Sequence, residues 1–218
     1  MNLSSYPSRS FRKLWHQGSL NPVDKGVRGV SYEGAGLSVS QHPDAWEQIA
    51  RLGGLPLWVL SRKDRSAGRF IDYRRLGPSQ QHKLAQEGTR RGWLQRATRH
   101  RLQWTDPEVG DKRYCLFADE DKARAEADDI EQWAENITTD LIEMDVATPL
   151  LAKVTGQEVS DDLAVDMVLT GIVEELDVFD GVWWADRLDP ANFSAPRGCI
   201  SMSALCRWDV EQRAPARR

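Results

Sequence analysis

The side chains of this chain that could act together chemically fall in a few short stretches. His16 closes an apolar segment, Leu14-Trp15-His16-Gln17, and brings an imidazole that can donate or accept a hydrogen bond near neutral pH. Ser38 and Ser40 follow the Gly34-Ala35-Gly36 turn and stand two apart, so on a strand both hydroxyls project to one face and can line a polar cleft. Asp186 and Asp189 precede Pro190, and a carboxylate there can stabilise positive charge developing at a nearby carbon. Arg197 sits between Pro196 and Gly198, where a guanidinium can clamp a pair of phosphates bidentately. Each group also has a plainer reading. His16 can be a satisfied sheet-edge histidine, the serines edge residues in water, the aspartates surface acids of a loop, and Arg197 a surface residue at a strand start. Asp180 reads as a turn residue before Gly181, and Glu174-Glu175 as the solvated end of a helix.

The elements that must position these residues follow from periodicity and punctuation. Strands are expected over residues 14–17, 36–40, 55–61, 69–73, 178–184 and 198–202. A helix is expected over 43–52, with Pro43 in its first turn. Residues 79–99 read as one helix or two, broken near Gly88 and Gly92. Residues 102–104 and 113–117 read as a hairpin. Residues 119–143 carry an apolar repeat of three to four and open with acids, which suits the positive end of a helix dipole. Further helices are expected over 148–155 and 161–176, and the last few residues read as a disordered tail. Strands, a helical middle and strands again imply one α+β domain over 1–218. Its N- and C-terminal strands would meet in a split mixed or antiparallel sheet, around a largely helical insertion at about 78–176.

At 218 residues the chain can bury a sizeable core without staples. Its three cysteines, Cys115, Cys199 and Cys206, are too few and too scattered for a disulfide framework or a zinc site, so no metal is expected. No apolar run approaches the roughly 20 residues of a membrane helix. The N-terminus lacks an apolar leader core, and the expected compartment is cytoplasmic. Net charge is −4 but unevenly spread. Residues 62–101 hold twelve Lys/Arg against three Asp/Glu, and residues 119–189 hold twenty-one Asp/Glu against four Lys/Arg. Within the basic block, Arg90, Arg91, Trp93, Arg96 and Arg99 interleave cations with an aromatic ring, a pattern that can follow phosphates and stack a base. The two blocks can equally face each other, or solvate different faces.

The order of motifs resembles the ADP-ribosyltransferase superfamily of the diphtheria-toxin and poly(ADP-ribose)-polymerase type, in its bacterial or phage members. Leu14-Trp15-His16-Gln17-Gly18-Ser19 is similar to that family's strand ending in His-Gly-x, though one residue longer. Gly34-Ala35-Gly36-Leu37-Ser38-Val39-Ser40 resembles the following Gly-x-Gly strand, with Ser38 where the family usually has tyrosine and with Trp15 or Tyr32 as replacements. Val178-Phe179-Asp180-Gly181-Val182-Trp183-Trp184 resembles a later family strand. The family's glutamate before the last strand has no counterpart, and the nearest acids are Asp186 and Asp189. RNA 2′-phosphotransferases, which share this fold, use Arg and His, so Arg197 pairs with His16 in that comparison. The resemblance implies cleavage of the nicotinamide–ribose bond of NAD, as substrate, with ADP-ribose passed to a macromolecule or to water. It implies catalytic roles for His16, Asp186 and Asp189, and NAD contacts from Trp15, His16, Gln17, Gly36, Ser38, Ser40, Trp183 and Arg197. A toxin or defence role, with a cognate inhibitor or antitoxin as partner, fits the same reading. The alternative is a catalytically inactive module on this fold that contacts nucleic acid or an acidic protein through its basic segment.

Overall fold

The computed structural model of the protein describes residues 2–21, 32–43, 54–185 and 196–213. Among these the chain runs β1 (Ser8–Phe11), β2 (Lys13–Gln17), β3 (Tyr32–Glu33), β4 (Gly36–Ser40), β5 (Leu57–Arg62), β6 (Gly68–Asp72), α1 (Pro78–Arg90), β7 (Leu94–Thr105), β8 (Lys112–Phe117), α2 (Glu120–Ile130), β9 (Glu135–Ala147), α3 (Pro149–Thr155), α4 (Ala164–Leu176), β10 (Gly181–Ala185), β11 (Arg197–Ser201), α5 (Met202–Leu205) and β12 (Trp208–Arg213). The architecture is α+β, with one mixed sheet and one antiparallel sheet. No helix among the described residues is long and apolar enough to cross a membrane.

The mixed sheet has the order β1-β6-β10-β11-β4-β2-β5-β12, with β3 hairpinned onto β4. Among the described residues only the β6–β10 pair is parallel. The sheet is nearly divided in its middle: β2 joins β4 through a single ladder pair, Trp15↔Ser40, whereas β2 pairs with β5 along its whole length. It also curls. The ring of Trp208 on β12 lies 6.1 Å from that of Phe70 on β6, although these strands lie near opposite ends of the order. The inner face closes on Phe11, Leu14, Leu37, Val39, Leu60, Trp183 and Ile200. The outer face carries Ile71, Val182 and Cys199 and is covered by α1, α3 and α4 through Leu84, Leu151, Val168 and Ile172. Strand β4 is therefore buried on both faces, and its Gly36 packs so tightly that a Cβ would lie 2.6 Å from the Ile200 carbonyl oxygen.

Local chemistry accounts for the helix ends. Pro78 occupies the first turn of α1, and the Gly77 amide donates to Gln80 Oε1 at 3.0 Å. Asp119 caps α2 by accepting from the Lys122 amide, and Thr148 caps α3 by accepting from the Leu150 amide. Gly156, at φ 70°, ends α3 in the left-handed region.

The middle of the chain corrects the expectation of a largely helical insertion over 78–176, because it carries the three-stranded sheet β8-β7-β9 beside its helices. The helix expected over 119–143 ends at Ile130, and β9 begins at Glu135. Ile137, Thr138, Thr139, Ile142 and Val146 are β-branched and fit a pleated ladder, and β9 pairs with β7 from Leu94↔Ala147 to Thr105↔Glu135. The helical spacing of Trp133, Ile137 and Leu141 was a coincidence that pairing overrode. Likewise, the helix expected over 79–99 stops at Arg90, Gly92 turns at φ 70°, and Leu94 starts a strand. The hairpin around 105–111 forms with Trp104 opposite Arg113. The strand at 36–40 has the expected bounds. Strands β1 and β12 were not anticipated. Most of the helix expected over 43–52 lies outside the described residues.

Candidate functional site

His16 lies where the mixed sheet divides. Its ring is fully buried, with Nδ1 2.7 Å from the Ser38 carbonyl oxygen on β4 and Nε2 3.2 Å from the Ser19 carbonyl oxygen. The imidazole thus bridges β2 and β4 close to the one ladder pair that joins them. A neutral imidazole has a single N–H and can donate to one of these carbonyls only. Protonation would satisfy both, yet burial outweighs the two carbonyls and holds the His16 pKa below the usual histidine value.

Strand alternation separates the residues that the sequence placed together. His16 shares a side of β2 with Leu14, which packs in the inner cluster with Val39 and Trp183. Trp183 is 0% exposed, with its ring centroid 4.3 Å from that of Phe11. It is a core residue and lines no cleft, which corrects its expected role in holding NAD. Ser38 stands opposite Cys199, and Ser40 opposite Arg197 and Trp15, so these belong to the outer face that α4 covers. His16 therefore meets Ser38 through the serine's backbone and not through its hydroxyl. Ser40 Oγ donates to the Pro196 carbonyl at 2.5 Å and accepts from the His42 amide at 3.0 Å. The Ser38 Oγ, Trp15 Nε1 and Trp184 Nε1 are buried with no hydrogen-bond partner among the described residues, an arrangement that costs free energy unless something completes it. Gln17 is buried in the ladder with β5, opposite Leu57, and Gly36 is pressed against β11.

Helix α4 lays a polar stripe over this outer face. Asp166, Thr170 and Glu174 are spaced by four, so they stack on one side of a largely apolar helix. Thr170 Oγ1 accepts from the Ala35 amide at 3.0 Å and donates to the Met167 carbonyl at 2.8 Å. Glu174 accepts from the Ser203 amide at 3.0 Å, so it is not the solvated helix end expected for it. Since Gly36 pairs with Ser201 and Ser40 with Arg197, Glu174 and Thr170 mark one end of β4 and β11. Asp166 lies two turns nearer the start of the helix. Burial, with the charge of Asp162, lifts its carboxyl above the usual range, against the opposing pull of Tyr73 and Arg197. Burial and Asp166 raise the Tyr73 phenol in turn. Asp186 and Asp189, the expected catalytic carboxylates, lie outside the described residues.

The basic segment is compensated within the chain. Arg90 and Arg91 pair with Glu87, Arg91 also with Glu175, Arg96 with Asp145 at 3.6 Å, and Arg99 with Asp161 at 2.6 Å. Trp93 is 6% exposed, packs in the core, and has the Arg91 guanidinium 4.6 Å from its ring centroid. It is closed to base stacking, which corrects the role expected of it. The basic and acidic blocks therefore meet each other.

Two open cavities of about 540 and 510 Å³ lie elsewhere, one lined by Tyr114, Cys115, Glu126 and Asp162, the other by Tyr6, Gln80, Lys83 and Arg90. Among the described residues no group of three or more His, Cys, Asp or Glu side chains could hold a metal ion. No protein-family model matches the chain, and no curated protein or solved structure matches it significantly.

Proposed function

We propose that this protein is an ADP-ribosyltransferase-like enzyme that binds NAD where β2 and β4 part, cleaves the nicotinamide–ribose bond and passes ADP-ribose to a macromolecule or to water. The observation that carries this reading is the strand order. The three motif segments lie on β2, β4 and β10 and Arg197 on β11, four consecutive strands of one sheet, with His16 Nδ1 2.7 Å from the Ser38 carbonyl across the division. In this reading His16 is a positioning residue that sets the spacing of the two half-sheets. Trp15 Nε1 and Ser38 Oγ offer hydrogen-bonding capacity that nothing among the described residues uses. Arg197, at the start of β11, would hold the diphosphate in this reading. A toxin or defence role, checked by a cognate inhibitor, belongs to the same proposal.

The test is a thermal-shift titration with NAD, paired with an assay for free nicotinamide. A ligand that binds only the native state raises the melting temperature by mass action. The expected result is a concentration-dependent rise in melting temperature together with nicotinamide release. Binding without release would point to an inactive binding module on the same fold. No shift at millimolar NAD would overturn the reading.

A further inference from the structure

The larger cavity, of about 540 Å³, lies away from the mixed sheet and runs along β8. All four residues from Tyr114 to Phe117 line it. Successive strand residues point to opposite faces, so a cavity that four in a row line follows the strand's edge. That edge is open. Among the described residues β8 pairs with β7 alone, from His100↔Phe117 to Thr105↔Lys112. A strand with one neighbour keeps a row of outward N–H and C=O groups, which can take up a further strand. Proteins commonly guard such an edge with charge. Here Lys112 and Arg113 stand at one end of β8, and Tyr114-Cys115-Leu116-Phe117 carries no charged side chain.

The walls of the cavity fix the sign of what could fill it. Glu126 comes from α2, half-buried on the side that turns Ala123 and Ile130 to the sheet. Asp161 and Asp162 come from the turn before α4. Arg99 holds Asp161 at 2.6 Å, whereas Glu126 and Asp162 make no ion pair among the described residues. Residues 119–131 hold seven Asp/Glu against two Lys/Arg, and one of those two, Arg124, is tied to Glu120, so the helix beside the opening is strongly negative. Tyr114 is 53% exposed and Phe117 partly so, and aromatic ring faces attract cations. Burial, with Glu126 and Asp162, holds the Cys115 thiol above its usual pKa, as a negative site should. A phosphate chain is repelled here, and a cationic group is drawn in.

We propose that β8 and this cavity dock an extended basic segment of a partner protein. The segment adds as a fourth strand to β8-β7-β9, and an arginine or lysine from it enters the cavity beside Tyr114 and Phe117 to meet Glu126 and Asp162. Main-chain pairing supplies affinity in this mode, and the pocket for a side chain supplies specificity. Alternate residues of an added strand face one way, so the segment carries basic residues two apart. The proposal does not depend on the NAD reading.

The experiment titrates the full chain with a fluorescent heptapeptide, Val-Arg-Thr-Arg-Val-Arg-Thr, by anisotropy, and follows amide hydrogen exchange of residues 114–117 with and without it. The peptide should bind, more weakly at high salt, and should slow exchange along β8. Glu126→Gln combined with Asp162→Asn should weaken binding on the order of tenfold or more, the scale of a lost charge-assisted hydrogen bond. Neither acid has an ion-pair partner to lose, so the melting temperature of this variant should hold. Proline in place of the central arginine removes a ladder donor and should weaken binding roughly fivefold or more. No binding by the alternating peptide overturns the proposal. So does binding that the double variant leaves unchanged, or binding without protection of residues 114–117, since either result means a general attraction to the acidic helix. If the double variant does not fold, the proline peptide and the exchange pattern decide.

Discussion

At the scale of single residues, the buried polar groups carry most of the consequence. Asp180, read from the sequence as a turn residue, is 6% exposed and ties β10 to three other parts of the curled sheet. It accepts from Arg62 Nη1 at 2.6 Å, the Arg69 amide at 2.8 Å and Trp208 Nε1 at 3.3 Å. Asp180→Ala would leave Arg62 with Asp64 alone and strand two N–H groups, each of which costs roughly 1–3 kcal/mol when buried and unpaired. Urea denaturation would show it as a lower midpoint, with the slope unchanged. His16 makes a prediction about pH. Its folded pKa lies below the unfolded value, so the unfolded chain binds more protons between the two. Stability should fall as pH drops from about 6.5, the unfolded value, towards the lowered folded one, and level off below it. In His16→Gln that component should be absent from the pH dependence of unfolding.

At the scale of elements, close approach of strands sets the site. A Cβ on Gly181 would lie 1.8 Å from the Cys199 carbonyl oxygen, so Gly181→Ala must push β10 off β11. Overpacking of this kind costs about 1–3 kcal/mol, with the upper end expected where the obstacle is backbone. Gly77→Ala is the control. It meets nothing within 4 Å, has φ −74°, and sits at the cap of α1, where alanine is merely a poorer cap. Thermal unfolding of the two variants should separate them clearly. The β7–β9 ribbon shows the opposite logic: residues 135–147 have only moderate strand character alone, and a ladder along almost the whole of β7 decides their state.

At the scale of the whole molecule, charge is arranged to close the fold. The arginines of residues 90–101 face Glu87, Glu175, Asp145, Asp161 and Asp140, and so join α1 and β7 to α4, β9 and the turn before α4. Reversing Arg90, Arg91, Arg96 and Arg99 to Glu should lower the melting temperature by several degrees, because each new acid would face an existing one. The loss should shrink at high salt, which screens exposed pairs. A variant that kept its melting temperature while losing salt-sensitive nucleic-acid binding would restore the contact-surface reading of this segment.

Read alone, the sequence determined the strands that carry the site, because their signals are local. Gly36 to Ser40 alternates behind a glycine turn, residues 14–17 and 55–61 are short apolar runs that lie within one or two residues of β2 and β5, and Pro149 with Thr148 starts a helix. It did not determine the state of residues 131–147, where helical spacing and β-branching compete and only a partner strand can choose. Nor did it determine which side chains meet. His16 and Ser38 approach through a backbone oxygen, Trp183 turns into the inner core, and the arginines find acids far along the chain, as Arg99 finds Asp161. Thr170 meets the Ala35 amide only once α4 crosses the sheet. Local pattern specifies an element and its apolar face. Which polar groups are desolvated together depends on how faces far apart in the chain are laid against one another, and that is decided by the tertiary structure.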